Sequence, residues 1–349
     1  RYGAALLSTL ALPSTLFAQQ RAFDSPGASS YFITGQTNQF TNDFNPALGV
    51  VVDMFGDFLD SDSGEDGFDF QLRLVELNAS GFVDPNVWAY LALVSEGGEA
   101  PEVEEIAVNY IGFEGNSTIK AGQFFVDFGK QMQTHIEELR TLERPLPLRE
   151  YLGEELAGQG VQYDNWFAIG DSPIRFSVGA FASLLGEGHH EEEEEGEPEP
   201  ENSVPERKDI DEFSLTARLT GMTDVGDNGL FQLGFSGRHV PEFSSDFEPA
   251  SLSQDGLSNT VYGVDATYGW TGETGVRRFT AGGEYLFYDG DLAVELDDTA
   301  APTALDIFDD SAQGFYVFAD YGWSLISSAG VQWAMADLTS NPDMDQIEL

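Results

Sequence analysis

The feature that most constrains this sequence is a period-two alternation of apolar and polar residues, repeated in segments of about ten residues. Between Phe213 and Thr220, for example, phenylalanine, leucine and alanine alternate with serine, threonine and arginine. Similar alternation recurs at 176–184, 231–238, 262–270, 279–287 and 315–324. Successive side chains of a β-strand point to opposite faces, so the pattern predicts strands with one apolar face and one polar face.

The connections between these segments indicate how the strands are arranged. Short turns such as Asp84–Asn86 alternate with long acidic loops such as Gly186–Asp211. Short turns on one side and long loops on the other are typical of barrels in outer membranes. Lipid offers no hydrogen-bond partner to an open sheet edge, so spanning strands must close into a barrel. We therefore predict an all-β fold, a transmembrane antiparallel β-barrel; a soluble β-sandwich is the alternative.

The composition narrows the set of partners. The net charge of −46 argues against nucleic acid, because binding phosphates requires a basic face. The chain has no cysteine, which removes disulfides and thiolate metal sites. Aromatic residues make up 13% of the chain, enough to supply the aromatic girdles of a barrel at both membrane interfaces. The predicted partners are therefore membrane lipid and small solutes or ions.

The chain divides into three predicted parts. Arg1–Ala18 has a basic residue before an apolar run, as in a cleaved bacterial secretory signal peptide; a short membrane anchor is the alternative. Residues 19–47 form a polar lead-in, and residues 48–349 form the barrel. The last residues lack the aromatic-terminated strand usual in such barrels, so we expect the sequence to be truncated at its C-terminus.

A cluster of arginines marks a candidate pore constriction. Three arginines fall within ten residues, although the chain has only 15 lysines and arginines against 61 acidic residues. The flanking strands predict that residues 130–156 form a long loop folded into the barrel. Charges clustered at a constriction select ions. The predicted constriction residues are Arg140, Arg144, Arg149, Glu137, Glu138 and Glu143. The alternative is an external loop helix with ordinary ion pairs.

Charged residues on the polar sides of the strands form a second candidate site. They are Arg218, Arg238, Asp265, Glu284 and Asp320, which would line the pore or form pairs across strands. No catalytic motif is present, and acidic residues are too abundant for a catalytic pair to be recognised. The sequence therefore predicts that the protein is not an enzyme.

A third candidate is a metal site in the low-complexity loop at 186–211. Imidazole and carboxylate groups both bind Zn²⁺, so His189, His190, Glu191 and Glu192 are predicted ligands. Two adjacent histidines cannot define a fixed tetrahedral site, so zinc would bind weakly. The alternative is a solvated, self-repelling acidic loop. No other cofactor is expected.

Two short motifs carry a resemblance to a known family. AGQFFVDFG (Ala121–Gly129), followed by the Glu143-Arg144 pair and by GQGVQYD (Gly158–Asp164), resembles the phosphate-selective (O/P-type) porins of Gram-negative outer membranes. It is also similar to a related group of zinc-regulated outer-membrane receptors. The resemblance implies a barrel of about sixteen strands, often trimeric, with loops folded into the pore. In that family arrays of arginine and lysine select phosphate, whereas here basic residues outside the arginine cluster are scattered.

These observations together predict a porin in the bacterial outer membrane. It would allow passive diffusion of small hydrophilic solutes or ions, with weak cation selectivity because acidic loops raise the cation concentration at the mouth. One alternative is a receptor or channel for zinc or another divalent metal that uses the loop with His189 and His190. Another is a non-conducting structural barrel whose interior is filled by large side chains.

Overall fold

The computed structural model describes residues 46–59, 67–113, 115–139, 141, 143–185, 201–205, 207, 209–247, 252–295, 305–337 and 345–348. The chain forms two compact units, residues 1–112 and residues 113–349. The predicted signal peptide lies outside the described residues, as does the lead-in before residue 46. No helix among the described residues is long and apolar enough to cross a membrane.

The first unit is an antiparallel sheet of four strands in sequence order. They are β1 (Ala47–Leu59), β2 (Gly67–Asp84), β3 (Val87–Glu96) and β4 (Glu102–Tyr110). β2 has a bulge at Arg73, because Asp53 pairs with Leu74 while Met54 pairs with Leu72. Along β4, glutamate, alanine and asparagine are buried while isoleucine, valine and tyrosine are exposed.

The second unit contains eleven described strands and two short helical segments between β5 and β6. The strands are β5 (Ser117–Phe125), β6 (Ala157–Ile169), β7 (Ser172–Phe181), β8 (Glu201–Ser203), β9 (Ser214–Val225), β10 (Gly229–Phe247), β11 (Leu252–Thr271), β12 (Arg278–Glu295), β13 (Leu305–Gly322), β14 (Ser328–Asp337) and β15 (Asp345–Glu348). Each pairs antiparallel with the next, except that β8, inside the predicted acidic loop 186–211, adds to β10. A further 3-10 turn, Ile210–Glu212, precedes β9.

The acidic stretches 241–258 and 289–312 are expected from the sequence to be long loops, but this is wrong, because the strands continue through their described residues. β10 continues to Phe247, and β11 begins at Leu252. In the same way, β12 continues to Glu295, and β13 begins at Leu305. These strands contain 18 to 20 residues, about twice the 9–11 that cross a bilayer. The backbone ladder does not require an apolar face, so acidic residues continue the pairing where the sequence pattern predicts a loop.

The two faces of the sheet in the second unit are inverted relative to a soluble protein. On one face, large apolar side chains are exposed: Val161, Tyr163, Phe176, Val178, Leu215, Leu219, Leu233, Phe235, Tyr262, Val264, Tyr285, Phe287, Val317, Tyr321 and Val331. On the other, polar side chains are buried: Gln162, Asp164, Arg175, Ser177, Thr216, Arg218, Gln232, Ser236, Arg238, Asp265, Thr267 and Glu284. We call the second set the polar face.

This inversion indicates that the apolar face of the sheet contacts lipid rather than water. A large apolar side chain left in water is less stable by about 1.5–3 kcal/mol of free energy than one that is buried. The exposed face of this sheet has many such side chains. Lipid removes that cost, and alternation of an apolar outer face with a polar inner face defines transmembrane β-barrels. The predicted class, an antiparallel all-β fold of the outer-membrane barrel type, is confirmed. The β-sandwich alternative is wrong, since two packed sheets would bury the apolar faces.

The connection between β5 and β6 lies on the polar face. We call residues 126–156 the inner segment; it contains a 3-10 turn (Ile136–Glu138) and helix α1 (Leu146–Leu152). Five of its large apolar side chains are at most 1% exposed: Phe128, Met132, Leu148, Leu152 and Leu156. α1 contacts β12, β13 and β14, and the Tyr151 hydroxyl donates to the Asp337 carbonyl at 2.8 Å. The predicted long loop therefore has a small apolar core of its own.

Candidate functional site

Asp127 joins the start of the inner segment to the sheet. Its carboxylate is 3% exposed and lies 2.5 Å from the Arg175 guanidinium of β7. It also accepts a hydrogen bond from the Ser177 hydroxyl at 2.6 Å and lies 3.5 Å from the guanidinium of Arg218 on β9. Arg175 also pairs with Asp164 of β6. One carboxylate thus ties the inner segment to two strands of the polar face.

The surroundings of Asp127 change its acidity. Burial alone would raise the pKa of this carboxyl, but the charges of Arg175 and Arg218 and the hydrogen bond from Ser177 together lower the pKa below its ordinary 3.8. A carboxyl whose pKa is lower in the folded state contributes stability above its unfolded pKa. That contribution disappears as the pH falls through the folded pKa. The attachment at Asp127 therefore persists at neutral and mildly acidic pH.

The next two residues attach the inner segment to β10 and β12. The Gly129 N–H donates to the Ser236 hydroxyl at 3.0 Å, and the Lys130 N–H donates to the Glu284 carboxylate at 3.2 Å. The Tyr316 hydroxyl donates to the same carboxylate oxygen at 2.9 Å. Gly129 has a φ of 54°, and a Cβ there would overlap the Glu284 carboxylate. Glycine is required at this position for both reasons.

Replacing Gly129 by alanine is expected to destabilise the folded protein by about 2–5 kcal/mol, about 1–2 from the left-handed backbone and the rest from overlap. Gly170 is a matched control, because its φ is 62° and a Cβ would contact nothing within 4 Å. Gly170→Ala should therefore lower the free energy of unfolding only by about 1–2 kcal/mol, the part that comes from the left-handed backbone. Urea unfolding of both variants in detergent micelles measures the difference. Equal losses at the two positions would contradict the contact between Gly129 and Glu284.

The predicted constriction arginines stabilise the inner segment itself. Arg144 is 2% exposed and donates to the backbone carbonyls of Gln131, Thr134 and Glu154. The Arg149 guanidinium donates to the Arg144 carbonyl at 3.0 Å and lies 3.2 Å from the Glu143 carboxylate. Arg140 lies outside the described residues. Of the predicted facing charges, the structure thus brings Arg149 and Glu143 together, while Arg144 bonds to backbone.

Glu137 and Glu138 belong to the 3-10 turn of the inner segment and are partly exposed. Glu143 is the most exposed of the three predicted glutamates, with 59% of its side chain accessible. The alternative of an external loop helix with i,i+4 ion pairs does not fit the structure, since the segment packs on the polar face.

Of the five charged residues predicted to line the pore, which we call the wall residues, four are buried on the polar face. Arg218 pairs with Asp265 at 2.8 Å across β10, where Gly234 has no side chain to separate them. Asp265 and Glu284 lie opposite each other on β11 and β12. Arg238 donates to the Leu184 carbonyl at 2.8 Å and to the Asn259 side chain. These four residues are 1–3% exposed, whereas Asp320 is partly exposed.

Three members of this site were not predicted from the sequence: Asp127, Asp164 and Arg175. A signal for two of them was present in the sequence. Asp127 interrupts an otherwise apolar stretch before Gly129, and Arg175 shares its strand side with Ser177. The predicted zinc ligands His189, His190, Glu191 and Glu192 lie outside the described residues, so the metal site remains a prediction.

Comparisons with known proteins add only distant similarities. No protein-family model matches the chain, and no curated protein matches its sequence. Among solved structures, it is similar to an anion-selective porin from Comamonas acidovorans, at 10% identity and a TM-score of 0.49, over 85% of this chain and 80% of that one. It is also similar to the outer membrane channel DcaP of Acinetobacter baumannii, at 11% identity and a TM-score of 0.41, over 88% and 96%. OmpTdeltaL8, a loop-deletion form of a Vibrio cholerae outer membrane protein, shows 10% identity and a TM-score of 0.41, over 85% and 95%.

Proposed function

We propose that this protein is a porin-type channel in a bacterial outer membrane, through which small hydrophilic solutes or ions diffuse passively. The observation that carries the proposal is the inverted sheet, with exposed apolar residues on one face and buried charges on the other. A polar inner face within a lipid-facing band is the arrangement that encloses water across a membrane. The inner segment on that face would narrow the passage.

The proposed channel prefers cations weakly. The chain carries a net charge of −46, which raises the concentration of cations around the channel. Exposed charges are screened beyond about 8 Å at physiological ionic strength, so the preference weakens as salt rises. The selectivity of the Comamonas protein belongs to that protein and does not decide the sign here.

Planar-bilayer recording tests the proposal directly. We expect discrete single-channel steps, and a reversal potential in a KCl gradient that indicates a small cation preference. That preference should shrink between about 0.1 M and 1 M salt, because the Debye length falls from about 10 Å to about 3 Å. A folded protein that inserts into the bilayer without conducting would overturn the channel proposal.

A non-conducting structural barrel is the second candidate, and the inner segment favours it. Five large apolar side chains of that segment are at most 1% exposed on the polar face, and the charges Arg218, Asp265 and Glu284 behind it are covered. A barrel whose interior is filled in this way would insert without conducting. The same recording therefore separates the two candidates.

Zinc binding by the acidic loop is a separate proposal. Deleting His189–Glu195 is expected to lower Zn²⁺ binding in titration calorimetry, since imidazole and carboxylate ligands are removed together. The urea-unfolding midpoint of the detergent-solubilised variant should remain unchanged. Equal zinc binding by both proteins would leave the tract as a solvated loop. We also propose a homotrimer, which analytical ultracentrifugation in detergent would test.

A further inference from the structure

We infer that permeating ions contact the solvent-accessible glutamates of the inner segment rather than the buried charges Arg218, Asp265 and Glu284 behind it, and that these glutamates set the cation preference. The inference rests on the proposed channel function and names its specificity-determining residues. The ligand class is a small hydrated cation such as K⁺.

The first support is the burial of the wall. Arg218, Asp265 and Glu284 are at most 2% exposed. Asp127, Gly129 and the rest of the inner segment occupy the polar face in front of them. An ion in water cannot approach a charge that water itself does not reach. These buried groups contact the inner segment directly, through Asp127 beside Arg218 and the Lys130 N–H on Glu284, and so hold the segment in place.

The second support is the use of the inner segment's arginines within the fold. Arg144 is buried with its three donor groups directed at backbone carbonyls. Arg149 is partly exposed, and its charge is shared with Glu143 and the Arg144 carbonyl. The two described arginines of the cluster, Arg144 and Arg149, thus stabilise the fold of the segment.

The third support is the charge on the accessible side of the inner segment. Among its described residues, six glutamates are exposed or partly exposed, against two cations in the same class. The glutamates are Glu137, Glu138, Glu143, Glu150, Glu154 and Glu155, and the cations are Lys130 and Arg149. Because screening limits each charge to a range of about 8 Å, the carboxylates nearest the passing ion have the largest effect.

The absence of cysteine allows a direct test by single-cysteine labelling. A cationic methanethiosulfonate reagent should modify Glu138→Cys and Glu143→Cys in the folded protein and shift the reversal potential away from cations. Thr267→Cys is the wall control, since Thr267 is 2% exposed. Its labelling should be at least about tenfold slower, because the thiol reacts only after local opening. All three cysteines should react fully in urea.

A charge-removal pair completes the test. The triple variant E137Q/E138Q/E143Q should lower the K⁺/Cl⁻ permeability ratio towards one. The control E96Q/E99Q/E102Q removes the same charge from exposed positions of the first unit and should leave most of the preference. Rapid labelling of Thr267→Cys in the folded channel, or equal shifts from the two triples, would overturn the inference. An absence of wild-type current would instead overturn the channel proposal, while the labelling rates would still report which surface is accessible.

Discussion

Replacement of Asp127 by asparagine is expected to release the inner segment from the polar face. The substitution removes a buried carboxylate from Arg175 and Arg218, which are 3% and 2% exposed. Breaking a buried ion pair from one side costs up to about 3–5 kcal/mol. Here Asp164 and Asp265 still offset part of the charge of the two arginines, so we expect a smaller loss. Trypsin should then cleave the folded protein after Lys130 or Arg149, because both peptide bonds belong to the inner segment that the wild type holds on the polar face.

Asp164→Asn is the matched control for this prediction. Asp164 pairs with the same Arg175 but belongs to β6 rather than to the inner segment. Its replacement should weaken the network without exposing the tryptic sites, and Asp127→Glu should restore part of the protection. Equal cleavage of the Asp127→Asn and Asp164→Asn variants would contradict a special role for Asp127.

The acid response of the wild type follows from the lowered pKa of Asp127. The folded-state pKa is below the ordinary value, so the ionised carboxylate stabilises the attachment at any pH above about 3.9. Protection from an acid-active protease such as pepsin should persist down to about pH 4 and decline only below it. Loss of protection already near pH 5 would show that another group controls the attachment.

Removal of the inner segment is expected to produce the largest functional change. Val126 donates a backbone hydrogen bond to the Leu156 carbonyl at 2.9 Å, so the two ends of the segment are adjacent. Residues 128–154 can therefore be replaced by two glycines without moving β5 or β6. If the segment narrows the passage, single-channel conductance should rise several-fold, because charge and width at a constriction control ion flow.

The control for this deletion is the variant that lacks His189–Glu195, which removes acidic residues from another loop. That variant should keep the wild-type conductance. An unchanged conductance after removal of residues 128–154 would show that ions do not pass along the inner segment. A large rise accompanied by loss of cation preference would support both the constriction and the role of its glutamates.

The alternation of residues was sufficient to predict the fold class and the two faces of the sheet. Side-chain direction along a strand is a local consequence of backbone geometry, so Leu215 and Arg218 could be assigned to opposite faces without tertiary information. The position of the long connection between β5 and β6 was predictable for the same reason. Strand ends were not, because the polar extensions of β10 and β13 have no apolar alternation to mark them.

Only the tertiary structure decided what each charge on the polar face does. Asp127 meets Arg175 and Arg218 because β7 and β9 are neighbours in the sheet, and no local pattern in the sequence encodes that meeting. Arg144 has the same sequence signature as a pore arginine, yet its donors bond to carbonyls ten or more residues away. The direction of a side chain along a strand depends on its place in the local alternation. Whether a charged side chain is buried or paired depends on which distant segments pack against it.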